Sequence, residues 1–278
     1  MKETGKLLFG TAGSPVAAKS GDTISGLKLL KELGLDAMEL EYVYGTFPGE
    51  EKARAVARAA EESGIRLTAH GPYYINLNSN EEKKFEDSRN RILKTARLGS
   101  LSGAESITFH AAFYQKSDPE KVFMKVHDVL DGIVHTLRES KVDVDVRPET
   151  TGKSSQFGTL DEIVRLSAEV EGVHPCIDWS HLHARTGKYN TSPEFQSVID
   201  SVRRGLGDQE LGIFHMHISG IQYGPSGEKK HLDMKKSDFN YKDLLHVLKE
   251  NGITGIMIAE SPHREDDALL LKDYYEKI

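Results

Sequence analysis

Six residues able to hold a divalent cation are spaced along a chain of 278 residues: His70, His110, Glu149, Asp178, His217 and Glu260. Imidazoles and carboxylates without thiolates suit zinc, and also manganese or iron, better than magnesium. Two further histidines extend the set, His181 in Asp178-Trp179-Ser180-His181 and His231 in Lys230-His231-Leu232. Together they exceed what one tetrahedral ion needs. A cluster of two or three ions is implied, and closely spaced metal pairs are suited to in-line displacement at phosphorus.

Each of the six closes a short apolar run. The runs that read as strands are Leu7–Gly10, Ala37–Val43, Arg66–His70, Ser106–His110, Asp143–Glu149, Pro175–Asp178, Gly212–Ile218 and Gly255–Glu260, and the stretches between them carry helical periodicity. Lys31-Glu32-Leu33-Gly34-Leu35, Glu61-Glu62-Ser63-Gly64-Ile65 and Lys249-Glu250-Asn251-Gly252-Ile253 repeat one helix stop, with glycine where the helix closes in the left-handed conformation. Eight strand and helix units in this length, with no Gly-x-Gly-x-x-Gly turn after the first strand, predict an α/β fold of the TIM (β/α)8 type. Lacking any Pro/Gly/Ser tract or low-complexity segment, residues 1–278 read as one barrel domain. In such a barrel, side chains at the carboxyl ends of successive strands converge on one place.

Composition narrows the setting. The one cysteine, Cys176, excludes an internal disulfide, and the amino terminus has no basic-then-apolar segment. No apolar run reaches membrane-spanning length, so a cytoplasmic protein without a membrane partner is expected, acting as a monomer. The net charge of −7 argues against nucleic acid as partner, since phosphate binding needs positive potential. Three divalent ions would nearly cancel it.

The chain resembles the endonuclease IV family of abasic-site endonucleases over nearly its whole length. The resemblance lies in His70-Gly71-Pro72-Tyr73-Tyr74-Ile75-Asn76-Leu77, Thr108-Phe109-His110, Pro148-Glu149-Thr150-Thr151-Gly152 with Phe157-Gly158-Thr159, Ile177-Asp178-Trp179-Ser180-His181, Met216-His217-Ile218 and Ile258-Ala259-Glu260. It implies a first zinc on His70, His110 and Glu149, a second on Glu149, Asp178, His217 and Glu260, and a third on His181 and His231. Glu149 and Glu260 would be the catalytic carboxylates. The implied reaction is hydrolysis of the phosphodiester 5′ to an abasic site in DNA by a metal-activated hydroxide, with Tyr73 and Tyr74 entering the gap. Lys229 stands where the family pattern has an aspartate, two residues before the histidine that corresponds to His231. A protonated lysine cannot ligate. A weakened third site is therefore expected unless Glu228 or a water completes it, and Lys229 could contact phosphate instead.

Several residues admit a second role. His215 shares a strand face with His217 and either could be the ligand, although the family motif aligns at His217. His127, His135 and His246 read as surface histidines and His174 as one at the opposite barrel end. His183 and His263 read as solvated loop residues with substrate contact as the alternative. Tyr73 and Tyr74 could simply cover the barrel rim. Lys153, Arg185, Lys188, Lys229 and Lys230 are the candidate phosphate contacts. Two other functions remain open. One is a metal-dependent sugar isomerase or epimerase of the xylose isomerase-like barrel class, which would be expected to use Glu41. The other is a non-catalytic damage-binding protein.

Overall fold

The computed structural model describes residues 1–18 and 21–278. Strand and helix alternate in the order β1 (Leu7–Ala12), α1 (Thr23–Leu33), β2 (Ala37–Glu41), α2 (Glu50–Ser63), β3 (Arg66–His70), α3 (Glu82–Leu101), β4 (Ala104–Phe109), α4 (Pro119–Glu139), β5 (Asp145–Pro148), α5 (Leu160–Glu169), β6 (Cys176–Asp178), α6 (Trp179–Thr186), α7 (Ser192–Leu206), α8 (Asp208–Leu211), β7 (Phe214–Ile218), β8 (Gly220–Gly224), β9 (Gly227–Leu232), α9 (Tyr241–Glu250), β10 (Gly255–Ala259) and α10 (Arg264–Lys277). Eight of the strands pair in parallel in the order β5-β4-β3-β2-β1-β10-β7-β6. The edge strands β5 and β6 meet through two single bridges, Val146 with Val173 and Glu149 with Cys176, which nearly close the sheet into a TIM barrel.

The expected strands are all present, with shifted ends. His110, Glu149 and Glu260 each lie one residue beyond their strands, on the first residue of the following loop. Gly34, Gly64 and Gly252 adopt φ of 74°, 71° and 62°, the left-handed closure expected of them. One element is new. The glycine-rich segment around Gly224-Pro225-Ser226-Gly227 folds as an antiparallel hairpin of β8 and β9, turning on Pro225 and Ser226.

Strand residues alternate between two environments. Leu7, Phe9, Met38, Leu67, Ile107, Ile177, Met216 and Met257 face the helices and join the main core. Leu8, Ala37, Ile256 and Ile258 form a separate apolar cluster. Other residues in the inward phase are polar and fully enclosed: Glu39, Thr68, Ser106, Arg147 and His215. Arg147 spans this interior toward the amino-terminal end, donating to Pro175 O at 3.0 Å, to Glu210 Oε1 at 2.9 Å and to Asp145 Oδ2 at 3.0 Å. His174 Nδ1 meets the other Glu210 oxygen at 2.7 Å, so this histidine belongs to the end opposite the candidate site.

Candidate metal centre

The carboxyl ends of the barrel strands bring six of the candidates together, and His181 on α6 and His231 on the β8–β9 hairpin join them. Three groups have ligand atoms within 4.8 Å of one another: His70, His110 and Glu149; Glu149, Asp178, His217 and Glu260; and His181, Glu228 and His231. Glu149 belongs to two of them. Its Oε2 lies 3.2 Å from both His70 Nε2 and His110 Nε2, while its Oε1 lies 3.3 Å from His217 Nδ1 and 3.1 Å from His181 Nδ1.

Three of the five histidines have one ring nitrogen on a backbone carbonyl. His70 Nδ1 donates to Gly71 O at 2.7 Å, His181 Nδ1 to Thr150 O at 3.0 Å and His231 Nδ1 to Glu260 O at 3.2 Å. His110 Nδ1 lies 3.4 Å from Gln156 Nε2, and His217 has neither nitrogen hydrogen-bonded, its Nε2 lying 3.0 Å from Glu39 Oε1 and its Nδ1 facing Glu149. A carbonyl acceptor of the kind on His70, His181 and His231 fixes the tautomer and leaves the second nitrogen as a ligand. Asp178 is divided in the same way. As N-cap of α6 its Oδ1 accepts from His181 N at 2.7 Å, and its Oδ2 is left free of hydrogen bonds.

Glu149 Oε1, Asp178 Oδ2 and His217 Nδ1 are enclosed, crowd together, and have no hydrogen-bond partner. Unpartnered buried polar atoms are costly, and a cation between them satisfies all three. The electrostatics agree. Burial works against ionising Glu149, but the His110 and His217 charges outweigh it and hold the carboxyl well below the usual range. Burial pushes Glu260 up to about 8; the His217 charge opposes this and the Glu149 and Asp178 carboxylates add to it. Against burial, Asp178 and Glu149 hold His181 well above the usual imidazole range. Protons thus do the work of counter-ions here, and divalent ions could replace them. The residues present fit zinc, manganese or iron by their donor atoms.

The third group departs from the expectation at Lys229. Strand β9 carries one extra residue against β8: Gln222 pairs with Lys230 and Tyr223 with Glu228, so Lys229 is the bulged residue. A bulge shifts the in-out alternation by one. Glu228 and His231, three residues apart, therefore face the same way, with Glu228 Oε2 3.6 Å from His181 Nε2 and Glu228 Oε1 3.8 Å from His231 Nε2. Lys229 is exposed, its side chain lying over Gly224 at the hairpin tip. Close backbone approach seats the hairpin. A Cβ on Gly227 (φ +94°) would stand 2.1 Å from Gly152 O, and one on Gly152 would press into Glu228 and His181.

A cavity of about 310 Å³ opens over the ligands, lined by Tyr73, Phe113, Lys153 and Gln156 besides His70, His110, His181, Glu228, His231 and Glu260. Tyr73 stands over it, 51% exposed, its ring 5.6 Å from that of His70. Tyr44, 75% exposed and not singled out in the sequence, meets the Tyr73 ring edge-on at 6.2 Å. Tyr74, 55% exposed, turns instead toward Arg91.

Of the basic candidates, Lys153 lines the cavity, while Lys188 and Lys230 are exposed. Arg185 is no free cation: its guanidinium donates to Thr151 O and Oγ1 and to Gln156 O, bracing the loop after β5. His183 is buried, bonded to Lys188 O at 2.8 Å and packed edge-on against Tyr223, so it is structural rather than solvated. His263 is exposed beside Asp233. His215 lies beneath the centre, fully enclosed, and His217 is the residue that joins the Glu149 group.

Residues 27–277 match the model of a family described as the xylose isomerase-like TIM barrel. The chain is 40% identical over 273 residues to an uncharacterized protein of Methanocaldococcus jannaschii, covering 98% of both chains. It is 23% identical over 240 residues to a probable endonuclease 4 of Shouchella clausii, covering 80% of each. Among solved structures it is similar to endonuclease IV from Thermus thermophilus, with a TM-score of 0.74, 19% identity and coverage of 98% of this chain and 100% of that one. It is similar as well to a D-psicose 3-epimerase, with a TM-score of 0.70, 14% identity and coverage of 98% and 99%. At these identities the structural likeness is one of fold. No helix among the described residues is long and apolar enough to cross a membrane.

Proposed function

We propose that this chain, which belongs to the xylose isomerase-like TIM barrel family, is a metal-dependent phosphodiesterase that cuts DNA on the 5′ side of abasic sites. One observation carries the reading: three groups of side chains able to hold a cation are contiguous, two of them joined through Glu149 and the third adjoining through His181. Three ions there would supply a hydroxide nucleophile at neutral pH and offset the charge that develops on phosphate. The kinship with probable endonuclease 4 supports the same direction.

The chain's own residues supply the rest. Lys153 places a positive charge in the wall of the cavity, beside Glu228. Tyr73 and Tyr44 offer ring faces at the rim where an orphaned base could stack. His70, His181 and His231, with one nitrogen each tied to a carbonyl, keep their ligand nitrogens aimed without rearrangement.

A sugar isomerase or epimerase is the second reading, favoured by Glu41. Its Oε1 is enclosed and unpartnered, and its carboxyl is pushed up to about 7 by burial and the Glu39 charge. It borders a cavity of about 570 Å³ that also touches Arg264, Lys52 and Phe47. A carboxyl poised near neutrality suits proton transfer at carbon. The imidazole-rich, three-group set favours the nuclease. Incision of a duplex carrying one abasic site, assayed before and after chelation, tests it. Metal-dependent cleavage is expected, and a metal-loaded protein that leaves the duplex intact but isomerises ketohexoses would overturn the reading.

A further inference from the structure

A second set of enclosed donor atoms lies deeper in the barrel. Cys176, His215 and His217 have ligand atoms within 4.8 Å of one another, and all three residues are without solvent exposure. Cys176 and His215 are register partners on β6 and β7. Glu39, fully enclosed on β2, lies between the two histidines, its Oε2 3.2 Å from His215 Nε2 and its Oε1 3.0 Å from His217 Nε2.

These atoms lie at ion-pair distance without hydrogen-bond geometry. Glu39 Oε1, His215 Nε2 and His217 Nε2 have no hydrogen-bond partner, although Glu39 Oε2 accepts from Thr68 Oγ1 at 2.7 Å and His215 Nδ1 meets Ser106 Oγ at 3.2 Å. Glu39 and His215 are thus each anchored by one atom and leave another facing the same interior point as His217 Nε2. An enclosed apolar barrel would hold leucine or valine here.

We propose that Cys176, His215 and His217, with Glu39 as the fourth ligand, form a separate interior site for a single divalent cation of the zinc class, beneath the solvent-facing centre. One sulfur, two nitrogens and one oxygen make a closed tetrahedral set of structural type. The ion would displace the thiol proton of Cys176 to solvent, leaving a thiolate ligand. His217, whose Nδ1 faces Glu149 and Glu260, would join the two layers as an imidazolate when both are filled, its ring proton also passing to solvent. This site is independent of which reaction the upper centre performs.

Sulfur is the discriminating reporter, because Cys176 is the one cysteine in the chain and no upper ligand is a thiolate. X-ray absorption at the zinc edge of the unmodified, zinc-loaded protein should show a sulfur neighbour at about 2.3 Å. Protein produced with cobalt should show a sulfur-to-cobalt charge-transfer band in the near ultraviolet. Cys176→Ser should lose that band and one metal equivalent while keeping the others, and His215→Gln should lose the same equivalent. A protein that holds metal yet shows no sulfur neighbour and no band overturns the interior site and leaves the upper centre standing. A sulfur neighbour in a protein inactive on abasic DNA supports the interior site and counts against the nuclease alone.

Discussion

Glu228 and His231, three residues apart on β9, face one point because the residue bulged between them is Lys229. On a regular strand an i, i+2 pair shares a face; the bulge gives that geometry to an i, i+3 pair. Glu228→Ala should therefore lose one metal equivalent. Removal of an outer partner alone weakens metal binding by about 10–100-fold, so loss of this ligand should exceed that. Lys229→Asp should leave metal content unchanged. A gain of one ion in Lys229→Asp, measured by metal analysis, would show that position 229 and not 228 is the ligand.

Glu149→Ala should lower incision at least ~10²–10³-fold, the scale seen when one preorganised electrostatic contact is removed. Both of its oxygens touch histidines of different groups, so metal content should fall by more than one equivalent. Circular dichroism should remain that of the folded barrel. Unchanged metal content with full activity would sink the joined-cluster reading.

Tyr44→Ala and Tyr73→Ala should each weaken binding to abasic duplex by about 1–3 kcal/mol if one base stacks on each ring. Metal content should not change, and affinity should fall with rising salt. Equal affinities in fluorescence anisotropy would return both tyrosines to a rim-covering role.

His70 sets the pH behaviour of the metal-free protein. Burial lowers its imidazole, but the Glu149 hydrogen bond and charge, and the charges of Glu41 and Glu39, more than reverse this and raise it to about 10. The folded value lies above the ordinary value of about 6.5. This stabilisation is therefore complete below about pH 6.5 and lost as pH rises through about 10. Metal-free protein should melt at lower temperature as pH rises over that window. Zinc binding should release protons and tighten with pH, read by calorimetry in two buffers of different ionisation heat. Binding without proton release would remove His70 from the ligand set.

Arg147→Met should cost about 3–5 kcal/mol in urea unfolding, because it leaves the enclosed Glu210 with His174 as its remaining ion-pair partner. Arg147→Met with Glu210→Leu should recover part of that loss. Metal content should be unaffected, since this pair sits at the opposite barrel end. A drop below about 1 kcal/mol, roughly the worth of a surface pair, would show that the interior there is wet.

The strands and ligands could be read from the chain because both signals are local: an apolar run gives the strand, and the polar residue that closes it gives the mouth of the barrel. The bulge could not. It exists in the register between β8 and β9, and a tyrosine-glycine-proline-serine-glycine run marks a turn without fixing which residue is left unpaired. Arg185 reads as a free cation until its carbonyl partners, about 30 residues away, are in place. His183 misled for the same reason: a histidine two residues after a ligand reads as a loop residue, yet α6 turns it inward against Tyr223. Glu39 and His215 look like ordinary polar alternation in a strand, and only the closure of the barrel makes them interior.

The seam of that barrel runs through the centre itself. Strands β5 and β6 touch by two bridges, one of them between Glu149 and Cys176, supported by Thr150 N donating to Cys176 O at 3.1 Å and Asp178 N donating to Thr150 Oγ1 at 2.9 Å. Glu149 stands on one lip and Asp178 on the other. An ion held by both would tie the two lips across the join with the fewest backbone bonds, so its removal should loosen the wall along this line before the secondary structure is lost elsewhere.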